Sequence, residues 1–434
     1  MGLLVKNGHL LDPSSGLDGI GHLVIEGQQI TAVEVECPEE SGFDQVIDAS
    51  GMMVLPGLID MHVHLREPGG EDKETIESGS LSAVCGGFTT VACMPNTDPV
   101  IDNKMGVEFV RAKAMRYGHC TVRVIGAITK GLEGKALAEI ADLVDAGVVA
   151  ISDDGKTVER AEIMRRAMEY VRMFSIPIVV HCEEPSLSLG GAMNEGFNST
   201  RLGLRGISRL AEEIIVSRDV MMAERLGCRL HVAHVSTRDA VEMIRQAKQR
   251  GVQVTAEVTP HHLTLTDDEI ERYDPNFKMS PPLRTADDRE ALIEGLMDGT
   301  IDAIASDHAP HTNEEKDVEF EYAPNGVIGL ETTFPVCYTS LVASGRVSMS
   351  LLVQKLANNP GAILGLKDRG SLRATMAADV TVVDVNKSVV IDSERFRSKS
   401  RNTPFGGFSG KGSIEWVLVN GRVEVANGST VTGD

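Results

Sequence analysis

Leu58-Ile59-Asp60-Met61-His62-Val63-His64 is a mostly apolar run that closes on two histidines. Residues i and i+2 of a strand point to the same side, so both imidazoles would face one point at the strand's end. Short, nearly continuous apolar runs bounded by helical segments are what a strand buried on both faces requires. The pattern recurs at residues 89–94, 122–128, 148–152, 177–181, 230–234, 252–257 and 303–306. Helical stretches separate these runs, among them 73–84, 161–173, 207–226, 240–250 and 287–297. Eight strand–helix units predict an α/β fold, a (β/α)8 TIM barrel.

Outward from the barrel, both ends read as β. Residues 4–7, 22–26, 30–34 and 45–48 are short apolar runs cut by Gly, Pro and acidic turns, and 379–385, 414–419 and 422–425 match them at the other end. Asn420-Gly421 is a hairpin-turn dipeptide. The expected organisation is a barrel over 54–365 and a small β-sandwich domain built from both termini, 1–53 and 366–434. Loops at about 183–204 and 309–329 are long enough either to cover a site or to lie solvated on the surface.

Active sites of such barrels lie at the C-terminal mouth of the strands. Besides His62 and His64, Asp153-Asp154 ends the fourth run, His181 the fifth and Asp307-His308 the eighth, while His231 and His234 frame the sixth. Imidazole with carboxylate favours Zn²⁺ or another borderline divalent ion, and the absence of Cys from the set argues against a structural zinc knot. His231 and His234 are three apart and face opposite ways in a strand. The strand-end position makes His234 the ligand candidate and His231 a wall or core residue.

Composition bounds the function. Of 434 residues, 42% are hydrophobic and 24% charged, which disfavours disorder and coiled coil. Lys plus Arg number 42 against 63 Asp plus Glu, a net charge of −21, so nucleic acid is not an expected partner. An anionic small molecule would bind only where local cations or a metal overcome that field. No apolar run reaches the ~18 residues of a membrane span, and the first residues lack signal-peptide features. Seven scattered cysteines without a CxxC read as buried reduced thiols of a cytoplasmic protein.

Pro56-Gly57-Leu58-Ile59-Asp60-Met61-His62-Val63-His64 resembles the opening motif of the amidohydrolase superfamily. Leu65-Arg66-Glu67-Pro68-Gly69, Met94-Pro95-Asn96-Thr97, Glu257-Val258-Thr259-Pro260-His261-His262-Leu263, Ser306-Asp307-His308-Ala309-Pro310-His311 and Asn325-Gly326-Val327-Ile328-Gly329-Leu330-Glu331-Thr332 narrow the resemblance to the dihydroorotase family, over about residues 1–430. The Asp-Asp-Gly form at 153–155 resembles its bacterial, Asp-bridged members, where many relatives use a carboxylated lysine.

The resemblance implies a reversible cyclisation of N-carbamoyl-L-aspartate to L-dihydroorotate in pyrimidine (UMP) biosynthesis. It implies one or two Zn²⁺ per chain, two favoured. His62, His64 and Asp307 would hold the more buried ion and His181 and His234 the second. Asp154 would bridge them, with Asp153 a turn or supporting residue. Asp307 would be the general acid/base. Arg66, Asn96 and His311 would bind the substrate carboxylate, with His64 also at the substrate and the main chain near Asn325 and Gly326 touching the ring. Ser280 stands where relatives often carry Asn, in contact through either backbone or side chain. His308 would pack behind Asp307, and His261 and His262 would either order the ligands or serve structure. A homodimer and an association with aspartate transcarbamoylase complete the expectation. The alternatives are an allantoinase or dihydropyrimidinase, and an inactive barrel that only partners aspartate transcarbamoylase.

The chemistry agrees independently. Hydrolysing a ring amide near neutral pH needs a polarised carbonyl and an activated water, both of which a metal supplies, and a carboxylate to move the proton. A guanidinium offers a bidentate fork for the substrate's carboxylate.

Overall fold

The chain passes from one sheet into the other across a single residue, Gly57. Met53–Pro56 is a strand of a terminal sheet, and Leu58–Val63 opens the barrel. The computed structural model describes residues 2–431. We number the barrel strands β1 (Leu58–Val63), β2 (Phe88–Cys93), β3 (Thr121–Gly126), β4 (Ala150–Ser152), β5 (Ile178–Val180), β6 (Leu230–Val232), β7 (Val254–Val258) and β8 (Ala303–Ile304). They pair in sequence order and all in parallel. The ring closes between β1 and the end of β8, through a parallel bridge from Val63 to His308 and a 2.8 Å bond from His64 N to His308 O. Every residue of β1 and of β2 is buried, as a parallel sheet covered by helices demands. Ile59, Met61, Ala92, Ile125, Val179 and Ala303 share an interior cluster, so the barrel is filled rather than hollow.

The outer helices start where the sequence places a capping hydroxyl. Thr75, Thr237 and Thr285 accept from Ser78 N, Ala240 N and Asp288 N and so open Ile76–Cys85, Arg238–Gln249 and Ala286–Asp298. The helix expected from 73 therefore begins at Ile76. The one expected from 207 begins at Leu210, because Gly206–Ile207 pairs with Met193–Asn194 as a two-stranded ribbon.

Strands from both ends form one sheet of nine, joined where Val380–Val390 runs antiparallel to Met53–Pro56. Leu3, Leu23, Ile30, Val54, Val380 and Leu418 meet in its core. Asn420 and Gly421 both take positive φ, 48° and 75°, the turn that a two-residue hairpin needs. Both long loops carry structure of their own. The first holds helices Pro185–Ser188 and Phe197–Leu202, the second Asn313–Lys316. Five cysteines are buried and Cys85 is half-buried. Cys37 is exposed, against expectation, because it follows the outermost strand Gln29–Glu34. Among the described residues no helix is long and apolar enough to cross a membrane.

Candidate active site

Four imidazoles and two carboxylates from β1, β4, β5, β6 and β8 converge at the barrel mouth. His62 Nε2 lies 3.4 Å from Asp154 Oδ1, and His64 Nε2 lies 3.4 Å from Asp154 Oδ2. His234 Nε2 and His181 Nδ1 are 3.6 and 3.8 Å from Asp154 Oδ1, and 2.9 Å from each other. Asp307 Oδ1 is 3.1 Å from His64 Nε2 and 3.5 Å from His62 Nε2. His62, His64 and Asp154 form one group able to hold a cation, and Asp154, His181 and His234 another, with Asp154 common to both. Ligands at ~2.0–2.1 Å around a tetrahedral ion stand about 3.3 Å apart, and the separations within the two groups, 2.9 to 3.8 Å, bracket that value. His62 Nε2, Asp154 Oδ1 and His234 Nδ1 are buried without a hydrogen-bond partner, and a cation between the groups would satisfy the first two. His234 and Asp307 sit at strand ends with φ of 32° and 48°, a backbone cost that turns their side chains into the mouth.

The electrostatics fit a cation site. Burial raises the Asp154 carboxyl, but His62, His234 and His64 overcome it and hold it well below the usual range. Asp307 is lowered in the same way, against burial, by His62 and His64. Burial lowers His62, yet Asp154, Glu257 and Asp307 carry it well above its usual value. Burial and then the charge of His234 push His181 down. His62 thus depends on nearby anions for any positive charge.

The partners behind the cluster fix which nitrogen faces it. His62 Nδ1 donates to Glu257 Oε1 at 2.6 Å, and His64 Nδ1 to Asn96 Oδ1 at 2.9 Å, so both Nε2 atoms turn inward. His231 is the core residue expected, with Nε2 on Glu257 Oε2 at 3.2 Å. Asp153 turns away, accepting from Ile128 N, Thr129 N and the Thr129 hydroxyl. His308 packs behind Asp307, with Nε2 on Glu74 and Nδ1 accepting from Gly329 N. His262 bonds Thr259 and the Pro281 carbonyl, a structural role, while buried His261 leaves its Nε2 without a partner.

A cavity of about 240 Å³ opens over the cluster, and every expected substrate contact lines it: His64, Arg66, Asn96, Ser280, His311, Asn325 and Gly326. Arg66 Nε donates to Pro310 O at 3.1 Å, which orients the guanidinium. His311 Nε2 donates to Asn325 O at 2.8 Å, and burial with the charge of Arg66 pushes its ring down to about 4. Ser280 Oγ donates to Glu183 Oε2 at 2.8 Å, which commits its side chain to a protein partner.

Sequence reasoning passed over Glu257, Glu183, Asp60 and Asn402. Asp60 Oδ1 accepts from His62 N and Ser306 N and ties β1 to β8. Glu257 carried a legible signal, a lone acid closing an apolar run. Asn402, in a connection of the terminal sheet, carried none.

A family model described as Dihydro-orotase-like matches residues 51–240. The chain is 49% identical to a dihydroorotase from Acetivibrio thermocellus and 51% identical to one from Pelobacter propionicus, each over 98% of this chain and 99% of the relative. Among solved structures it is similar to an L-hydantoinase (dihydropyrimidinase) from Arthrobacter aurescens, with a TM-score of 0.89, 27% identity and coverage of 99% and 97% of the two chains. A D-hydantoinase from Thermus sp. matches with a TM-score of 0.84, 25% identity and coverage of 99% and 96%.

Proposed function

The chain belongs to the dihydroorotase family, and from that premise we propose that it interconverts N-carbamoyl-L-aspartate and L-dihydroorotate in pyrimidine biosynthesis. The observation that carries the proposal is one cavity that holds both a guanidinium and a cluster fitted for metal. Hydantoinases share the fold at half the identity, but their neutral rings give Arg66 no carboxylate to grip.

A pair of divalent cations, zinc on this donor set, held by His62, His64, Asp154 and Asp307 and by Asp154, His181 and His234, would polarise the ring amide and lower the pKa of water to about 7. The remaining work falls to this chain's side chains. Asp307, held ionised by its histidines, accepts the proton of the attacking water and returns it to the departing ring nitrogen. Arg66 and Asn96 Nδ2 bind the substrate carboxylate, His311 joins them once its Nε2–H swings from Asn325 O to the carboxylate, and the main chain at Ser280, Asn325 and Gly326 meets the ring. Engagement of the Ser280 hydroxyl by Glu183 favours the backbone as its contact. Cyclisation runs these transfers backwards and consumes one proton, so ring closure is favoured at lower pH.

We assign catalysis to residues 54–365, with 1–53 and 366–434 flanking. Cytoplasmic location, a homodimer and association with aspartate transcarbamoylase belong to this reading on the family resemblance alone.

The test is hydrolysis of L-dihydroorotate, allantoin and dihydrouracil side by side by purified protein, with metal analysis of the same sample. Dihydroorotate should be turned over selectively, lost on chelation and restored by zinc. Equal hydrolysis of a neutral ring would hand the assignment to the hydantoinase branch.

A further inference from the structure

The connection between strands Val380–Val390 and Ser409–Val419 leaves the terminal sheet and reaches the barrel mouth. Its base is closed where Ile391 N bonds Phe408 O at 2.9 Å and Gly407 N bonds Ile391 O at 2.8 Å. Beyond that base, Arg397 N and Ser398 N donate to half-buried Glu331 at 2.8 and 3.2 Å. Lys399 N donates to Glu74 at 3.2 Å, and Ser400 Oγ to Lys73 O at 2.9 Å. The strap is thus fastened on both sides of the point where it meets the substrate loop.

That point is Asn402, 3% exposed. Its Oδ1 accepts from His311 N at 3.2 Å. Its Nδ2 donates to Ala309 O at 3.0 Å and to Gly326 O at 3.1 Å. Its own carbonyl accepts from Ile328 N at 2.9 Å. One side chain therefore holds two stretches of the loop that are far apart in sequence. Those stretches touch closely. Gly326 has φ of +129°, and a Cβ there would come within 2.8 Å of Ala309 Cβ and 3.2 Å of His311 Nε2. Two carbonyl oxygens aimed at one amide would repel each other, buried, without the donor between them.

We infer that Asn402 is a positioning residue for the substrate. By pinning 309–311 against 326–328 it sets where His311 and the Gly326 main chain stand over the metal-fitting cluster. A segment outside the barrel thereby sets affinity for the carboxylated ring. The inference rests on the dihydroorotase reading for its substrate.

Asn402→Ala and Asn402→Asp, with thermal transition and metal content checked, test it on L-dihydroorotate. The Asp variant keeps the volume and the acceptor for His311 N but turns an anion toward two carbonyls. Both should raise KM at least tenfold and lower kcat by less, with metal content as in wild type. Unchanged KM in both would overturn the inference. So would an Asp variant with wild-type KM beside a damaged Ala variant, because the side chain would then only fill space. If neither folds, amide exchange of the wild-type protein decides. His311 N, held by Asn402 Oδ1, should exchange as slowly as the β1 amides, and exchange at the rate of open loops would overturn the clamp. A wild type that leaves dihydroorotate untouched would fail the functional reading instead, and the exchange result would still report on the clamp.

Discussion

Replacing Glu257 by Gln probes how the metal-fitting cluster is held. A carboxylate has no donor, so His62 Nδ1 and His231 Nε2 must both give it a proton, at 2.6 and 3.2 Å. Burial raises the Glu257 carboxyl, but His62 and His231 bring it down to about 2, so it is ionised throughout the working pH range. Gln has the same size and only one oxygen. That oxygen can serve His62, and the amide NH₂ then faces His231. His231 can adapt by moving its proton to Nδ1, because Thr255 Oγ1 stands 2.8 Å away and can accept it. The network is therefore re-satisfied, and what is lost is the negative charge behind His62. A charge-assisted hydrogen bond is about twice as strong as a neutral one, a difference of about 1–1.5 kcal/mol. That is roughly a tenfold loss of metal affinity, the low end of the 10–100-fold range for residues behind a ligand. Glu257→Ala strands the buried His62 Nδ1–H without an acceptor even after His231 turns its proton to Thr255, and should sit at the high end or beyond. Zinc affinity by competition against a chelator, with thermal melting of the apoprotein, reads both. Gln within twofold of wild type, or Gln as damaging as Ala, would refute the reasoning.

Arg66→Ala should cost about 2–5 kcal/mol in kcat/KM for dihydroorotate and leave a neutral ring almost indifferent, as kinetics on both substrates will read. Asp154→Ala should lose at least one metal by elemental analysis. Exposed Lys156→Ala should keep both and most activity, and reconstitution should need no bicarbonate, since Lys156 lies in the loop beyond β4. Glu331 is half-buried against Ser82 and two strap amides, and desolvation lifts its carboxyl from 4.5 to about 7. A raised folded-state pKa leaves stability complete below 4.5 and erodes it as pH climbs through 7, by about 3 kcal/mol here. Glu331→Gln should remove that erosion, so its melting temperature should gain on wild type between about pH 5 and pH 8; parallel profiles would contradict the assignment.

His62, His64, Asp154, His181, His234 and Asp307 were legible because each closes an apolar run, where a polar residue has no packing reason to be. A strand's pleat fixes which side successive residues face, and the barrel's architecture brings all eight strand ends to one mouth. Direction and destination both follow from position in the element. Glu257 showed the same signal, but its role depends on His62, 195 residues earlier, and strand position does not reveal which neighbour a buried acid will meet. The resemblance, not the pleat, chose Asp154 over Asp153, and the structure gives the physical reason: Asp153 is consumed by the amides at 128 and 129, which leaves its neighbour to turn into the mouth. Asn402 lies at the other extreme. It sits in an irregular connection, so no periodicity sets its direction, and its four bonds run to groups 74–93 residues away. Its orientation is a product of the finished fold. The groups that would bind metal are thus written into strand patterns, whereas the residue that sets the substrate loop is written only into long-range hydrogen bonds. Loop insertions and substitutions can therefore retune substrate affinity while every strand-end ligand stays in place.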